Sequence, residues 1–235
     1  MANVAARSFA RLFLGLKLAC AECHDDPREP WTQAEFWGLA AYFGRVNPND
    51  DRGQDGQFVR PGTIAERTGY KAPKGSDFRM TPRADGSLPV HAEAWTGAGG
   101  YHAPRVLGGR PRNYVVGQAM VPELANWAAA PDNPYLARAA VNRWWAHFFA
   151  RGLVHPVDDF RPDNPPTHPE ALAVLADEFT RSHHDLRHLI RCVCATAAYQ
   201  RTSRPAPGNE TADGASYARM PVKVLTAEAL VDSLG

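Results

Sequence analysis

The chain has few cysteines, no long apolar run and almost no excess charge. Four cysteines in 235 residues are too few for a disulfide-rich scaffold. No apolar run approaches the roughly 20 residues that cross a bilayer, so we expect no transmembrane segment. A formal net charge of +1 gives no field for nucleic acid, and no nucleic-acid partner is expected. With 44% hydrophobic and 22% charged residues, the chain is predicted to be globular.

The pattern C-x-x-C-H, formed by Cys20, Cys23 and His24, is the attachment pattern of a c-type haem. Two thiols reach the two arms of one porphyrin, and the adjacent imidazole binds the iron from the same side. If the segment is helical, the three side chains fall at i, i+3 and i+4 and share one face. The motif therefore predicts covalent haem c. Cys20 and Cys23 would form the thioether links, and His24 would be the proximal iron ligand.

The same cysteine pair could instead pack or form a disulfide in a structural module, or it could be half of a zinc site. A zinc site needs four ligands. The remaining cysteines, Cys192 and Cys194, lie two residues apart on a predicted helix and point away from each other. We expect them to be small buried residues, which leaves a mixed site of Cys20, Cys23 and two histidines as the remaining zinc arrangement.

The first residues only loosely resemble a signal peptide. Arg7 and Arg11 precede an apolar run, but Lys17 interrupts it and no small-residue cleavage site follows cleanly. We therefore find no clear signal peptide and predict an amphipathic helix over Val4–Cys23, which Pro27 ends soon afterwards. Covalent haem attachment takes place outside the cytoplasm, so either the chain is a fragment of a longer exported protein or the motif is unused.

A loop-rich insertion is expected to separate two helical parts. Before it, Thr32 and Glu35 have the spacing of a capping box that opens a helix to about Phe43. Residues 47–116 lack long periodic apolar runs and are rich in turn residues, so only a few short strands are predicted, around Gln57–Arg60 and Ala103–Leu107. The insertion contains three candidates for a sixth iron ligand, each of which could equally be an ordinary loop residue: Met80, His91 and His102.

The fold class is predicted as mainly α, with parts at 1–46, 47–116 and 117–235. Asn133 and Pro134 form an N-cap signal for a helix that would run to about Ala150 and stop at Gly152. Thr167 and Glu170 predict a second capping box. Further helices are expected at Pro169–Ser182, Asp185–Gln200 and from Thr226, the last one cut within the element at Gly235.

An acidic loop precedes the second predicted capping box. Asp158, Asp159 and Asp163 with Arg161 could line the cleft of a hydrolase, for example one acting on polysaccharides, or bind a hard cation. Alternatively, these carboxylates pair with arginines and accept backbone N–H bonds in a tight loop. The sequence gives no carboxylate separation, so it defines no mechanism for an enzyme.

Two sets of residues resemble known families, over residues 9–43 and 117–235. The first set resembles the planctomycete cytochrome-C-like domain of unknown function and comprises Phe13–Asp25, Trp31 and Trp37–Phe43. The second resembles its usual C-terminal companion domain and comprises Asp132–Pro134, Val141–Trp144, Gly152–Val154, Val157–Arg161, Asn164–Pro166, His168–Glu170 and Ala198–Gln200.

The resemblance implies a large exported bacterial protein, periplasmic in location, which often carries a further cytochrome c domain upstream. Electron transfer to a redox protein or to that upstream domain is the implied role, and this chain would lack the N-terminal part of the first domain. One residue departs from the family pattern. The position where the family has histidine after the cysteine motif is Asp26 here, which puts metal binding by this copy in question.

Overall fold

The protein is mainly helical, as predicted. The computed structural model describes residues 2–44, 46–47, 65–66, 88–89, 101–112, 119–224 and 227–234. Within them, the α-helices are α1 (Ala2–Phe9), α2 (Gln33–Ala41), α3 (Val121–Ala128), α4 (Leu136–Phe149), α5 (Pro169–Arg181), α6 (Leu186–Ala195) and α7 (Ala227–Leu234). None of these helices has the length and apolar character needed to span a membrane.

The strands of the described residues are two residues long and form two antiparallel pairs. Strand β1 (Val46–Asn47) pairs with β2 (Ala65–Glu66), and β3 (Leu88–Pro89) pairs with β4 (Tyr101–His102). Contacts within the chain divide it into two compact units, Met1–Leu136 and Ala137–Gly235.

In the first unit, the predicted helix over Val4–Cys23 is wrong because the helix ends well before the cysteines. After α1, a π-helical turn covers Ala10–Leu14 and stops at Gly15, which has a left-handed φ of 72°. The N–H groups of Gly15 and Leu16 both point back to the Ala10 carbonyl. Glycine adopts this conformation without a Cβ clash, so it releases the chain into the irregular segment before Cys20.

Helix α2 forms the centre of the first unit. Its predicted capping box is confirmed: the Thr32 side chain accepts from the Glu35 N–H, and the Glu35 carboxylate accepts from the Thr32 N–H. Residues from Glu35 to Tyr42 are buried throughout. A Cβ on Gly38 would lie 2.8 Å from the Arg105 Cβ, so glycine is required where this neighbouring segment crosses the helix.

The segment that crosses α2 does not form the predicted strand at Ala103–Leu107. Strand β4 ends at His102, just before the predicted strand. The chain does not continue in the ladder because the backbone and side chain of Arg105 bond to α2 instead. The Arg105 N–H donates to the Gly38 carbonyl at 3.0 Å, and its guanidinium pairs with buried Glu35 at 2.8 Å. The other predicted strand, Gln57–Arg60, lies outside the described residues.

Helix α4 follows the predicted Asn133 signal and ends at Phe149, close to the predicted Ala150, but Gly152 is not the residue that stops it. The Asn133 side-chain oxygen accepts from the N–H groups of Tyr135 and Leu136, at 3.0 and 3.2 Å. The helix is terminated by Ala150, which takes a left-handed φ of 58°, and not by Gly152. Gly152 is needed for another reason: a Cβ there would lie 2.4 Å from the Val154 carbonyl oxygen.

The second unit packs α4, α5 and α6 around an apolar core that includes Val141, Trp145, Phe149, Leu172, Phe179, Leu189 and Val193. The predicted capping box at Thr167 is wrong. The N-cap of α5 is His168, which makes no side-chain cap bond, while the Thr167 hydroxyl and N–H both donate to the Leu153 carbonyl. Thr167 thus ties the preceding loop to the core and is not available to cap the helix.

Helix α6 is capped by Asp185 and ends at Ala195, five residues before the predicted Gln200. It ends because Thr196 is extended and donates its hydroxyl to the Val193 carbonyl at 2.7 Å. Cys192 and Cys194 lie on this helix. They were expected to be buried, but each is only half-buried.

Candidate functional site

The cysteine motif forms one short, exposed turn. Cys20–Glu22 is a 3₁₀ turn, closed by N–H donation from Cys23 and His24 to the Cys20 carbonyl at 3.1 and 3.3 Å. Cys20 and Cys23 are exposed free thiols, and the His24 ring is also exposed. The three predicted attachment and ligand residues therefore lie on a single exposed turn, although that turn is not part of an α-helix.

Helix α2 holds this turn through the turn's backbone. The Trp37 indole N–H donates to the Glu22 carbonyl at 3.1 Å, and the Gln33 amide donates to the Cys23 carbonyl at 3.0 Å. The Gln33 backbone N–H also donates to the Asp25 carboxylate at 2.7 Å. These bonds fix the position of the main chain while leaving the thiols exposed.

Helix α1 holds the same turn from another direction. The Glu22 carboxylate accepts from the Asn3 amide at 2.8 Å and pairs with the Arg7 guanidinium at 3.2 Å. Ala21, between the two cysteines in sequence, is fully buried. The turn is therefore anchored by a buried residue and by two helices, which restricts the directions in which Cys20 and Cys23 can point.

The His24 ring is oriented by its own loop. Its Nδ1 lies 2.8 Å from the Asp25 carbonyl oxygen. A carbonyl only accepts, so Nδ1 carries the proton and the lone pair of the neutral ring lies on Nε2. Metal-binding histidines are commonly oriented in this way by a backbone carbonyl on the second nitrogen.

Asp26, two residues after the cysteine motif, has a local structural role. Its side-chain oxygen accepts from the N–H groups of Arg28 and Glu29 at 2.9 and 3.3 Å. Its own N–H donates to the Trp31 carbonyl at 2.9 Å, which closes the loop between the cysteine turn and α2. Across the part of the chain that the structure describes, no three His, Cys, Asp or Glu residues are grouped so that they could hold a metal ion.

Of the three sixth-ligand candidates, Met80 and His91 lie outside the described residues. His102 is half-buried in β4, which packs against α2. Burial, and then the positive charge of Arg105, lower the pKa of His102 below its ordinary value of 6.5. Its ring is therefore neutral at physiological pH, as an imidazole ligand must be.

The acidic loop of the second unit is closed by an arginine. Asp158 and Asp159 are each only 5% exposed. The Arg161 Nε lies 3.1 Å from the Asp159 carboxylate and 3.5 Å from that of Asp163, whose side chain is 62% exposed. The Asn164 amide donates to the Asp159 carbonyl at 2.9 Å. The geometry thus shows the pairing of carboxylates with arginine that was one of the two possibilities for this loop.

A buried asparagine holds the chain leading into this loop. Asn142 on α4 is fully buried, and its amide donates to the carbonyls of Val154 and Val157 at 2.9 and 3.1 Å. Its oxygen accepts from the Val154 N–H at 2.8 Å. Although the acidic loop is close, the Asn142 amide bonds to backbone groups of Val154 and Val157 and not to a carboxylate.

The sequence interpretation missed a cavity of about 560 Å³ in the second unit. It lies between the end of α4 and the segment 203–222, which contains three prolines and two glycines. Arg151, Arg219, Phe149 and Met220 are among the residues that line it. The sequence did contain a weak signal: an arginine stands close to a large apolar residue at two places, Phe149 with Arg151 and Arg219 with Met220.

Two known families match this chain, each over a different part of it. Residues 122–235 match PSD1, a family described as a protein of unknown function (DUF1553). Residues 1–48 match PSCyt2, also described as a protein of unknown function (DUF1549). The cysteine turn thus lies in the PSCyt2 match, and the acidic loop and the cavity lie in the PSD1 match. Searches of curated proteins and of solved structures found no match.

Proposed function

We propose that this chain binds haem c covalently and transfers electrons within an exported bacterial assembly. The observation that supports the proposal is the exposed turn that carries Cys20, Cys23 and His24 and is held by α1 and α2. The resemblance to planctomycete cytochrome-C-like domains agrees with it. A redox protein, or a cytochrome c domain upstream in a longer chain, would be the electron partner.

The two thiols have the chemistry that attachment needs. Each would add across one vinyl group: the sulfur bonds to the vinyl carbon next to the ring, and the thiol proton ends on the outer carbon. This addition requires no oxidant, and it requires thiols that are accessible and not paired in a disulfide. Cys20 and Cys23 meet both requirements.

His24 would supply the proximal nitrogen. Because its Nδ1 donates to the Asp25 carbonyl, Nε2 would be the nitrogen that binds the iron. Bound haem would supply an iron centre that exchanges one electron. The chain's contribution is to hold the backbone that carries the imidazole and both thiols in one anchored turn, so that little backbone freedom would be lost on attachment.

Neither alternative function receives comparable support. A hydrolase would need converging carboxylates in an open cleft, whereas Asp158 and Asp159 are buried and Arg161 pairs with Asp159. A structural cysteine pair would be sealed in the core or joined as a disulfide, whereas Cys20 and Cys23 are exposed thiols.

The test is expression of the chain with an export signal in a host that has a cytochrome c maturation system. We expect one haem per chain that survives denaturation, seen in the reduced absorption bands and as a mass increase of the polypeptide. The Cys20→Ala/Cys23→Ala variant should lose it. The matched control, Cys192→Ala/Cys194→Ala, removes the same number of thiols elsewhere and should keep it.

A third variant tests the role of the histidine. His24→Ala should retain at least part of the covalent haem, because both thiols remain, but its absorption spectrum should change with the loss of the proximal ligand. Absence of haem from folded, exported protein would refute the proposal, as would equal haem loading in the Cys20→Ala/Cys23→Ala variant.

A further inference from the structure

We propose that the cavity in the second unit binds a small organic anion, with a carboxylate or phosphate group on an apolar body. Two arginines line a cavity whose remaining wall is largely apolar, and the ion pairs formed among the described residues include neither of them. This site is separate from the cysteine turn, and the proposal does not depend on haem binding.

Arg151 is positioned by the unusual end of α4. Ala150 takes a left-handed conformation, so the chain leaves the helix axis just before Arg151. The Arg151 Nε is buried and has no hydrogen-bond partner within the described part of the chain. The carbonyl end of a helix favours a cation nearby, but that field leaves the buried donor unsatisfied. A buried donor on a charged group is costly to leave without an acceptor, and an anion in the cavity would provide one.

Arg219 adds a second cation to the lining. It is half-buried, and its side chain forms none of the ion pairs found among the described residues. Asp213 also lines the cavity, but its carboxylate accepts from the Ala215 N–H at 3.2 Å and forms no ion pair with either arginine. The Asp213 carboxylate therefore does not neutralise either guanidinium.

The apolar part of the wall defines the rest of the ligand. Phe149, Met220, Pro205 and Pro221 line the cavity beside the arginines. The Phe149 ring is held by stacking on Trp145, with centroids 4.3 Å apart. A volume of about 560 Å³ falls within the roughly 300–1,000 Å³ of small-molecule sites. The lining thus suits an aromatic or aliphatic body that carries one anionic group.

The walls are tied together without a ligand. The Tyr217 hydroxyl donates to the Gly152 carbonyl at 2.8 Å, next to Arg151 in sequence. The Arg201 guanidinium donates to the Tyr217 carbonyl at 2.9 Å, and the Met220 N–H donates to the Thr202 carbonyl at 3.2 Å. These bonds join the segment 201–220 to the end of α4, so the cavity is preformed and binding costs little ordering.

The experiment is titration calorimetry of the full chain with phenyl phosphate, benzoate and the neutral benzyl alcohol. We expect at least one of the two anions to bind at least about tenfold more tightly than the alcohol, since the charged group meets the arginines. The stronger anion distinguishes a phosphate ligand from a carboxylate ligand. Inorganic phosphate alone should bind more weakly than phenyl phosphate, because it leaves the apolar wall uncovered.

Three variants locate the binding. Arg151→Gln and Arg219→Gln should each weaken anion binding about tenfold. Arg204→Gln is the matched control, because Arg204 lies in the same segment and is exposed but does not line the cavity. It should leave affinity unchanged. Equal binding of alcohol and anions would refute the proposal, as would equal losses in all three variants. Failure of folded protein to bind either anion would also refute it; if Arg151→Gln unfolds, Arg219→Gln still decides.

Discussion

The cysteine turn and the acidic loop each place several reactive or charged side chains within a few residues, and their neighbours contact them differently. At the cysteine turn, Trp37 and Gln33 bond to backbone carbonyls, so the thiols and the imidazole stay exposed. At the acidic loop, Arg161 forms ion pairs with the side chains themselves, and Asp159 is buried against this half-buried partner. Neighbours that hold the backbone leave side chains available for chemistry, whereas neighbours that hold side chains use them for stability.

The largest effect should come from the buried residue that supports the acidic loop. Asn142→Ala removes three hydrogen bonds and leaves the Val154 and Val157 backbone groups without partners. We expect the free energy of unfolding to fall by about 4 kcal/mol in urea denaturation. Asn164→Ala, at a half-exposed position in the same loop, should cost only about 1 kcal/mol. Equal losses would show that burial does not distinguish the two positions.

The next effect tests whether Arg161 stabilises the loop. Arg161→Gln leaves the nearly buried Asp159 carboxylate without its charge partner and should cost about 3 kcal/mol in the same measurement. Asp163→Asn removes the exposed member of the group and should cost less than about 0.5 kcal/mol. A stable Arg161→Gln protein would contradict the structural interpretation of the loop and return attention to its carboxylates as functional groups.

Glu35 provides a pH-dependent test in the first unit. Burial raises the pKa of Glu35, but hydrogen bonds from Thr32, Arg105 and Gly108 outweigh it and hold the pKa below the ordinary 4.5. Because the folded pKa is depressed, this contribution to stability is present above the unfolded pKa and is lost as the pH falls through the folded pKa.

Glu35→Gln should therefore reduce stability by about 2 kcal/mol at neutral pH and by progressively less as the pH falls below about 4.5. Unfolding in urea at a series of pH values measures this difference. Glu123→Gln, which removes a more exposed carboxylate from the same unit, is the control and should shift stability little. A constant difference across the pH range would show that the Glu35 charge does not stabilise the fold.

The smallest effect should be at the cysteine turn itself. Cys20→Ala/Cys23→Ala removes exposed thiols whose backbone is held by other groups, so stability without haem should change by less than about 0.5 kcal/mol. The unmodified protein also allows a reactivity test: an alkylating reagent should modify Cys20 and Cys23 before Cys192, whose pKa is raised by burial and then by the Glu178 charge. Slow labelling of Cys20 and Cys23 would contradict their exposure.

Local signals predicted a large part of this fold. The capping box at Thr32 and the N-cap at Asn133 could be predicted because each depends on a few adjacent residues. The same spacing failed at Thr167, whose hydroxyl and N–H bond to Leu153, a residue far along the chain. The predicted end of the first helix was wrong because the apolar pattern continues past Gly15, although glycine is itself a stop signal for a helix.

The candidate sites show the same division. The three side chains of the cysteine motif are close because they are close in sequence, so the motif could be recognised directly. The cavity could not be recognised in this way, since Arg151 and Arg219 line one cavity only when the segment 203–222 folds back to the end of α4. Likewise, the residues of the acidic loop were evident, but burial and the reach of Arg161 decide whether their carboxylates are available.

The position of Tyr217, which is fixed by its hydrogen bond to the Gly152 carbonyl, has a consequence for biosynthesis. The Tyr217 ring packs edge-on against Trp145 and Phe149, with centroids 5.3 Å away in both cases. While the ribosome is still translating the preceding segment, α4 can already be helical, but these two aromatic side chains lack that cover. The nascent second unit therefore exposes apolar surface until Tyr217 emerges from the exit tunnel, and during that interval it is most open to chaperones and to aggregation.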